Sequence, residues 1–240
     1  MQVSSLFSLV LILVLYSGCT SQTNTSTDTS ENVAPISTPI FPDSITDISG
    51  NSYKTVTIGT QVWMAENLKT TKYSDGTDIP MIEDAGIWED LTTPAYCWYN
   101  NDEAAYKDTY GALYNWHAVK TGKLCPTGWH VPNYDEWSVL MNYLGGKHIA
   151  GSKLKESGLV HWKAPNEDAS NESGFTALPG GFRGYDADFI FMGENASFWS
   201  TAWYNTFDAK SSGMHYKFRK FHRFNYGKDF GLSVRCLCND

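Results

Sequence analysis

The longest apolar stretch of the chain lies close to its first residue. Residues 6–15 are all apolar except for Ser8. A helix needs about twenty apolar residues to cross a bilayer, so this run is too short to span one and is typical of the central segment of a signal peptide. The pattern therefore predicts that residues 1–18 are a signal peptide and that the chain is secreted across the inner membrane.

A strongly polar segment follows the apolar run. Residues 20–32 contain no apolar side chain, and Pro35, Pro39 and Pro42 come soon after. Such a composition cannot bury enough surface to offset the entropy lost on ordering. We therefore expect residues 19–52 to form a disordered tether and residues 53–240 to form the folded domain.

Alternation of apolar and polar positions predicts the strands of the domain. Residues 53–58 and 61–64 alternate around a Gly59-Thr60 turn, which predicts a hairpin. In the second half, short apolar bursts stand between Gly, Asn and Asp residues, as short strands between loops do. These bursts cover residues 175–178, 189–192, 198–203, 214–218 and 232–237.

Helical periodicity predicts two or three helices. Asn133 and Glu136 have the spacing of a capping box, and an apolar stripe follows at i, i+3, i+4 and i+7. A helix is therefore expected over residues 134–144, and shorter ones over residues 111–119 and 150–156. Together the elements predict an irregular α+β domain with a small twisted antiparallel sheet and long loops.

Composition narrows the range of functions. Aromatic residues make up 15% of the chain, which is enough for a substantial core. The formal net charge of −8 repels phosphate backbones, so nucleic acid is not a predicted partner. The sequence contains neither a nucleophile elbow nor a phosphate-binding glycine loop.

Four cysteines remain if Cys19 carries a lipid. Cys236 and Cys238 are two residues apart on a predicted strand, where their side chains point to the same face and a bond between them would be strained. Each therefore pairs with an earlier cysteine. We favour Cys125 with Cys236 and Cys97 with Cys238, and the crossed arrangement stays open.

Residues around Cys19 resemble a bacterial lipobox. Ser17 and Gly18 precede Cys19, although no Lys or Arg comes before it and Tyr16 stands where leucine is usual. The resemblance implies that Cys19 is lipidated and anchors the protein to the outer membrane, on the periplasmic or the surface-facing side. The alternative is an ordinary cleaved signal peptide with Cys19 unmodified.

Seven motifs carry a resemblance to a known family. In chain order they are TIGTQVWMAENL (57–68), YCWYNND (96–102), YGALYNW (110–116), LCPTGWHVP (124–132), GFTALPGGFR (174–183), FWST (198–201) and SVRC (233–236). Together they resemble the Fibrobacter succinogenes major paralogous domain, which occurs in secreted and lipid-anchored proteins. The resemblance covers residues 53–238 and brings no established biochemical function with it.

The same motifs imply a fold, and they allow the cysteines of this chain to be compared with those of a related class of enzymes. They look like the formylglycine-generating-enzyme branch of the C-type-lectin-like fold. Those enzymes carry two reactive cysteines before the last strand, and residues 211–226 of this chain contain none. Thiol-based catalysis needs such sulfurs, so we do not expect this chain to be an enzyme.

Aromatic and basic residues outside the densest motifs are the candidate ligand contacts. Exposed aromatic side chains stack on sugar rings or anchor protein interfaces. The aromatic candidates are Trp88, Trp162, Trp203 and Tyr204. The basic candidates are Lys217 and Arg219, in a run interleaved with aromatic residues on an otherwise acidic chain. This run predicts contact with an acidic glycan or a protein, or else the solvent face of a strand.

One loop offers oxygen ligands for a structural calcium ion. Asp168, Asn171 and Glu172 carry side-chain oxygens of the kind that Ca²⁺ prefers. The alternative is a solvated loop, and no other cofactor is predicted. The sequence thus favours a cell-envelope lipoprotein whose lectin-like domain binds a polysaccharide or a surface protein. An enzyme related to formylglycine-generating enzymes and a purely structural envelope protein are the alternatives.

Overall fold

The computed structural model describes residues 42–239. The predicted signal peptide, Cys19 and residues 20–41 of the predicted tether lie outside the described residues. Within the described part the strands are β1 (Ser44–Thr46), β2 (Ser52–Ile58), β3 (Gln61–Met64), β4 (Tyr96–Cys97), β5 (Leu113–Tyr114), β6 (Trp129–His130), β7 (Gly180–Arg183), β8 (Phe189–Met192), β9 (Asn195–Trp203), β10 (Asp208–His215), β11 (His222–Gly227) and β12 (Leu237–Cys238).

Short helices lie between these strands. They are α1 (Ala85–Glu89), α2 (Glu103–Tyr110), α3 (Trp116–Val119), α4 (Tyr134–Tyr143) and α5 (Ala150–Leu154), with one 3-10 turn over Tyr99–Asn101. In residues 42–239 no helix is both long enough and apolar enough to cross a bilayer.

The strands pair antiparallel in four separate sheets. The largest has the order β1-β2-β3-β12-β6, and a second has the order β11-β10-β9. The other two are the pairs β4-β5 and β7-β8. The predicted α+β class is therefore confirmed, whereas the prediction of a single small sheet is wrong.

The folded domain begins before the predicted boundary at residue 53. The pairing of β1 with β2 places Ile45 opposite Tyr53, and both side chains are buried. The hydroxyl of Tyr53 donates a hydrogen bond of 2.6 Å to the carboxylate of Asp47. The prediction that the tether extends to residue 52 is wrong. Residues 44–46 form the additional strand β1, although Ile45 is the single apolar residue in it.

α4 follows the local signals in the sequence. The side chain of Asn133 accepts hydrogen bonds from the amides of Asp135 and Glu136, and the carboxylate of Glu136 accepts one from the amide of Asn133. Trp137 and Leu140 point into the core. The capping box and the apolar stripe thus act as predicted.

The other two predicted helices are shorter than expected. Within residues 111–119 only α3 is helical, because β5 pairs with β4 first. Gly111 has a φ of 71°, which turns the chain into β5, and Asn115 then caps α3. The helix predicted over residues 150–156 is α5, which ends at Leu154.

Two of the predicted strands form isolated bridges instead of regular ladders. Residues 175–178 pair only at Ala177, with Lys155 at the end of α5, and most of residues 232–237 pair only at single positions with Tyr114 and Phe198. The backbone carbonyls of Phe175 and Thr176 accept hydrogen bonds from the guanidinium of Arg235. These oxygens therefore bond to a side chain rather than to a β-ladder.

Three buried cations hold the loops of the domain. Lys155, Arg183 and Arg235 are buried, and each lies over an aromatic ring. Among residues 42–239, none of the three forms an ion pair with a carboxylate. Their hydrogen bonds go instead to uncharged oxygens. These are the backbone carbonyls of Glu167, His215 and Phe218 for Lys155, those of Ile82, Glu83 and Ala187 for Arg183, and those of Phe175 and Thr176 together with the side-chain Oδ1 of Asn67 for Arg235.

The disulfide joins the middle of the chain to its last strand. Cys125 bonds to Cys236, which is the favoured pair and spans 111 residues of sequence. Cys97 is a buried free thiol, so the predicted pair of Cys97 with Cys238 is wrong. The reason is distance in the core: Cys97 packs in the cluster of Trp88, whereas Cys238 packs in the cluster of Trp129.

Candidate functional site

Two of the four aromatic candidates are buried. Trp88 lies under the guanidinium of Arg183, whose central carbon is 4.4 Å from the ring centroid. Trp162 packs beneath Lys155, and its indole nitrogen donates a hydrogen bond of 3.0 Å to the carbonyl of Ala177. The prediction that these two rings contact a ligand is wrong, because buried cations hold both in the core.

The other two aromatic candidates are exposed at one end of the three-stranded sheet. Trp203 and Tyr204 are 66% and 55% exposed, and Phe207, in the same turn from β9 to β10, is 78% exposed. Residues 203–208 form what we call the hairpin tip. Its conformation is fixed by Asn205, whose side-chain oxygen accepts hydrogen bonds of 2.7 Å from the amides of Phe207 and Asp208.

Lys217 and Arg219 lie at the opposite end of the sheet. Both are exposed in residues 216–221, the connection from β10 to β11, which we call the basic loop. This run is a turn rather than the predicted strand. Arg219 lies 3.3 Å from the carboxylate of Asp168, whereas Lys217 and Lys220 form no ion pair within the described part of the chain.

Buried hydrogen bonds hold the basic loop in place. Lys155 donates from Nζ to the carbonyls of His215 at 3.4 Å and Phe218 at 3.2 Å. The amide of Phe221 donates to the carbonyl of Lys147 at 2.8 Å. A ligand that binds the loop therefore meets a surface that is already ordered, which lowers the entropic cost of binding.

A continuous series of aromatic rings extends from the basic loop across the sheet. We call it the aromatic ladder, and consecutive ring centroids lie 4.7–5.7 Å apart. Phe191, Phe218 and Phe224 are exposed, and most of the others are partly buried. In order, its members are Tyr216, His215, Phe218, His222, Phe224, Tyr226, Phe182 and Phe191.

The electrostatic surroundings of the ladder are cationic near the basic loop. Burial lowers the pKa of His222, and the positive charges of His215, Lys220, Lys147 and Lys155 lower it further. Burial also lowers the pKa of His215, although Glu194 opposes this shift. The charges that act on His222 are all positive, so this part of the surface favours an anionic group.

The residues predicted to bind calcium do not converge. The carboxylate of Asp168 faces Arg219, and that of Glu172 lies 2.7 Å from Lys153. The side-chain oxygen of Asn171 accepts a hydrogen bond of 2.8 Å from the amide of Thr176. Across residues 42–239 no group of three or more acidic, histidine or cysteine side chains is arranged to hold a metal ion. The geometry therefore fits the solvated loop.

One cavity of about 340 Å³ lies beside the disulfide. In its wall His130 is hydrogen bonded on both ring nitrogens, at 2.8 Å to Glu136 and at 2.6 Å to Asn239. Cys125 also lines this cavity, but its sulfur is in the disulfide. A second cavity, of about 330 Å³, lies next to the hairpin tip and includes Phe207 in its wall.

The free thiol in the part of the chain that the structure describes is unreactive. Among the described residues Cys97 is the single free thiol. Burial raises its pKa to about 12, and the nearby Arg183 offsets only part of this shift. At neutral pH the sulfur is therefore protonated, and a protonated thiol is a poor nucleophile.

Several residues of the ladder were not among the sequence-based candidates. His222, Phe224 and Tyr226 alternate along β11 with a period of two, so the sequence does contain a signal for this row of rings. Phe182 and Phe191 come from the β7-β8 hairpin and join the row only through tertiary packing. Nothing local in the sequence places them there.

The comparisons with known proteins give one match. The sequence model of the Fibrobacter succinogenes major domain family matches residues 56–237, which include the basic loop and the aromatic ladder. Neither a curated protein nor a solved structure matches the chain.

Proposed function

The chain belongs to the Fibrobacter succinogenes major domain family, and on this basis we propose that it is a cell-envelope lipoprotein with a non-catalytic binding domain. The ligand that we propose is an acidic polysaccharide, bound on the aromatic ladder and the basic loop. We also propose a C-type-lectin-like fold, which the short strands and long loops support. The observation that carries the ligand proposal is the ordered row of partly exposed rings beside unpaired cations.

The two parts of the surface suit the two parts of an acidic sugar chain. Sugar rings have apolar C–H faces, which pack against aromatic side chains such as Phe218 and Phe224. Carboxylate or sulfate groups on those rings would lie near Lys217 and Lys220, which have no carboxylate partner within the described residues. A linear polysaccharide is long enough to contact several rings of the ladder at once.

A catalytic role is less well supported by the same residues. The single free thiol in residues 42–239 is buried and protonated. His130 and Glu136 form an acid–imidazole pair, but the sulfur beside them is oxidised in the disulfide. We therefore place binding ahead of an activity like that of formylglycine-generating enzymes.

Affinity electrophoresis and calorimetry would test the proposal. We expect the purified protein to bind a sulfated or uronic-acid polysaccharide and not a neutral glucan. Phe218→Ala should weaken binding about tenfold, as loss of a central aromatic contact does. The double variant Lys217→Gln and Lys220→Gln should weaken it and also reduce its dependence on salt, because salt screens exposed charges.

The controls separate glycan recognition from general effects. Tyr143→Ala removes another exposed ring, on α4, and should leave binding unchanged. A single-stranded oligonucleotide provides a polyanion without sugar C–H faces of the same kind. Equal binding of the oligonucleotide would mean that charge alone is recognised, and absence of binding to every acidic glycan would refute the ligand proposal.

The histidines give this surface a predicted pH dependence. Because the pKa values of His215 and His222 are lowered, both side chains are neutral at pH 7 and gain charge only under more acidic conditions. A sulfated glycan keeps its charge over this range. We therefore expect its affinity to rise several-fold as the pH falls, and the double variant His215→Gln and His222→Gln to lose most of that rise.

The anchor is a separate part of the proposal. Metabolic labelling with a radioactive fatty acid should mark the wild-type chain, and Cys19→Ser should abolish the label. A labelled Cys19→Ser variant would show that the lipid is attached elsewhere.

A further inference from the structure

The hairpin tip is an exposed aromatic surface at the far end of β10 from the basic loop. The tip precedes β10 and the basic loop follows it, so the strand separates the two by about 26 Å at the usual rise per residue. Trp203, Tyr204 and Phe207 in the tip are each more than half exposed. The tip shares no residue with the surface proposed to bind an acidic glycan.

The backbone amides of the tip donate hydrogen bonds within the protein. Those of Tyr204 and Asn205 donate to the carbonyl of Asp208, at 3.0 and 3.2 Å. Those of Phe207 and Asp208 donate to the side-chain oxygen of Asn205, both at 2.7 Å. These four amides therefore need no hydrogen-bond acceptor from outside the protein.

The backbone carbonyls of the tip accept hydrogen bonds from one lysine. Lys228 donates from Nζ to the carbonyls of Asn205 at 2.9 Å and Thr206 at 2.7 Å. Its amide donates to the carbonyl of Phe207 at 2.9 Å. The side-chain amide of Asn205 also donates to the carboxylate of Asp208, at 2.7 Å. The exposed rings thus stand on a turn whose polar groups are largely bonded to one another.

This combination favours a lipid surface over a protein partner. A turn in water can leave its polar groups to the solvent, whereas a turn that enters a bilayer must satisfy them internally. A protein interface includes direct hydrogen bonds as well as apolar contacts, and the tip leaves few backbone groups for them. Trp and Tyr side chains are also enriched where the hydrocarbon of a membrane meets its headgroups.

The charges next to the tip favour one kind of bilayer. Glu89, Asp90 and Asp229 line the neighbouring cavity, and none of the three forms an ion pair within residues 42–239. The ammonium group of Lys228, in the same wall, is directed to carbonyls of the tip. Because these carboxylates would repel anionic headgroups, the tip is better suited to a bilayer of zwitterionic phospholipid.

We propose that the hairpin tip inserts into the interface of a zwitterionic phospholipid bilayer. Trp203, Tyr204 and Phe207 would lie among the headgroups and the upper acyl chains. The basic loop, at the other end of β10, would then face away from the membrane. This contact is additional to the lipid proposed at Cys19 and does not depend on it, because the rings belong to the folded domain.

Vesicle flotation tests the inference on the full-length Cys19→Ser chain, which excludes the lipid proposed at that cysteine. The probe is a vesicle of phosphatidylcholine, and any contribution of residues 1–18 is the same in every variant. We expect Phe207→Ala in this background to lower the partition coefficient about tenfold, as for the loss of one large apolar side chain from an apolar environment.

A second measurement places the tip in the bilayer. Brominated phosphatidylcholine should quench the fluorescence of Trp203, and Trp203→Phe should remove most of the quenching while partitioning stays close to that of the parent. The assignment is possible because every other tryptophan of the chain is buried.

Matched controls separate insertion of the tip from other contacts with the membrane. Tyr143→Ala removes an exposed ring on α4 and should not change partitioning. Phosphatidylglycerol mixed into the vesicles should weaken binding rather than strengthen it.

The inference is overturned if the parent chain does not bind the vesicles, if Phe207→Ala partitions as its parent does, or if bromine does not quench Trp203. A tip that instead contacts a protein predicts the second of these results. Phe207→Ala should retain its affinity for acidic glycan, so failure of one proposal is distinguishable from failure of the other.

Discussion

Three buried cations donate hydrogen bonds to backbone carbonyls that would be paired in β-ladders in a more regular fold. A buried charge is costly unless several hydrogen bonds and a favourable ring surround it. Lys155, Arg183 and Arg235 meet this condition with carbonyl oxygens from loops that lack strand partners. Each cation therefore joins segments that are distant in sequence and fixes a loop that would otherwise have unpaired carbonyl groups.

Lys155 has a measurable effect on the pH dependence of stability. Burial lowers its pKa from 10.5 to about 8 in the folded state. Between these two values the unfolded chain binds more protons than the folded one, so the free energy of unfolding rises with pH. Relative to Lys155→Met, we expect the free energy of unfolding of the wild-type protein to rise by about 2 kcal/mol from pH 8 to pH 10.

Urea titrations of both proteins at several pH values measure this difference. Tyrosines also titrate near pH 10, but they are common to the two proteins and cancel in the comparison. Parallel stability curves would mean that the ammonium group of Lys155 is as well solvated in the folded state as in the unfolded one.

At the scale of elements, the sequence predicts the helices and strands that depend on neighbouring residues. It does not predict segments whose conformation depends on partners far away in the chain. The capping box and the stripe of α4 lie within one stretch of sequence, and the β2-β3 hairpin turns at adjacent residues, so both were predictable. The irregular conformation of residues 175–178 was not predictable, because Arg235, which donates to the carbonyl of Phe175, is about sixty residues away.

The same limit applies to the candidate site. The position of Lys217 and Arg219 at the surface followed from their charge, and the exposure of Trp203 followed from its place outside the motifs. The burial of Trp88 and Trp162 did not, because the cations that cover them, Arg183 and Lys155, are recognisable only in the folded chain.

The cap of α4 gives a prediction at this scale. Asn133→Ala removes the acceptor for two helix amides and should lower the free energy of unfolding by about 1 kcal/mol. Asn142→Ala, at an exposed position of the same helix, is the matched control and should have little effect. Equal denaturation midpoints for the two variants would show that the N-terminus of α4 is held by packing alone.

The whole molecule is closed by covalent and hydrogen-bonded contacts near residue 237. Alternate residues of β9 and β10 enter two different apolar clusters, with Trp199 in one and Phe198 in the other, so these two strands contribute to the core on both faces, whereas β11 stays partly exposed. β12 lies between β3 and β6 in the largest sheet. The disulfide of Cys125 with Cys236 fixes the chain just before β12.

Removal of this disulfide should destabilise the domain strongly. The double variant Cys125→Ser and Cys236→Ser loses a closure of more than a hundred residues, which the chain-entropy model values at about 4 kcal/mol. Cys97→Ala leaves the disulfide intact and should cost clearly less. Guanidinium unfolding would measure both, and a smaller loss in the double variant than in Cys97→Ala would contradict the structural role of the bond.

The central position of β12 also sets the order of events during synthesis. Leu237 pairs with Trp63 on one side and His130 on the other, so β3 and β6 cannot be joined into one sheet until residue 237 has been made. Non-local pairing of this kind forms slowly and late. A nascent chain that has not yet reached residue 237 cannot complete its largest sheet, so this sheet forms only after the segments that flank β12 have already been synthesised.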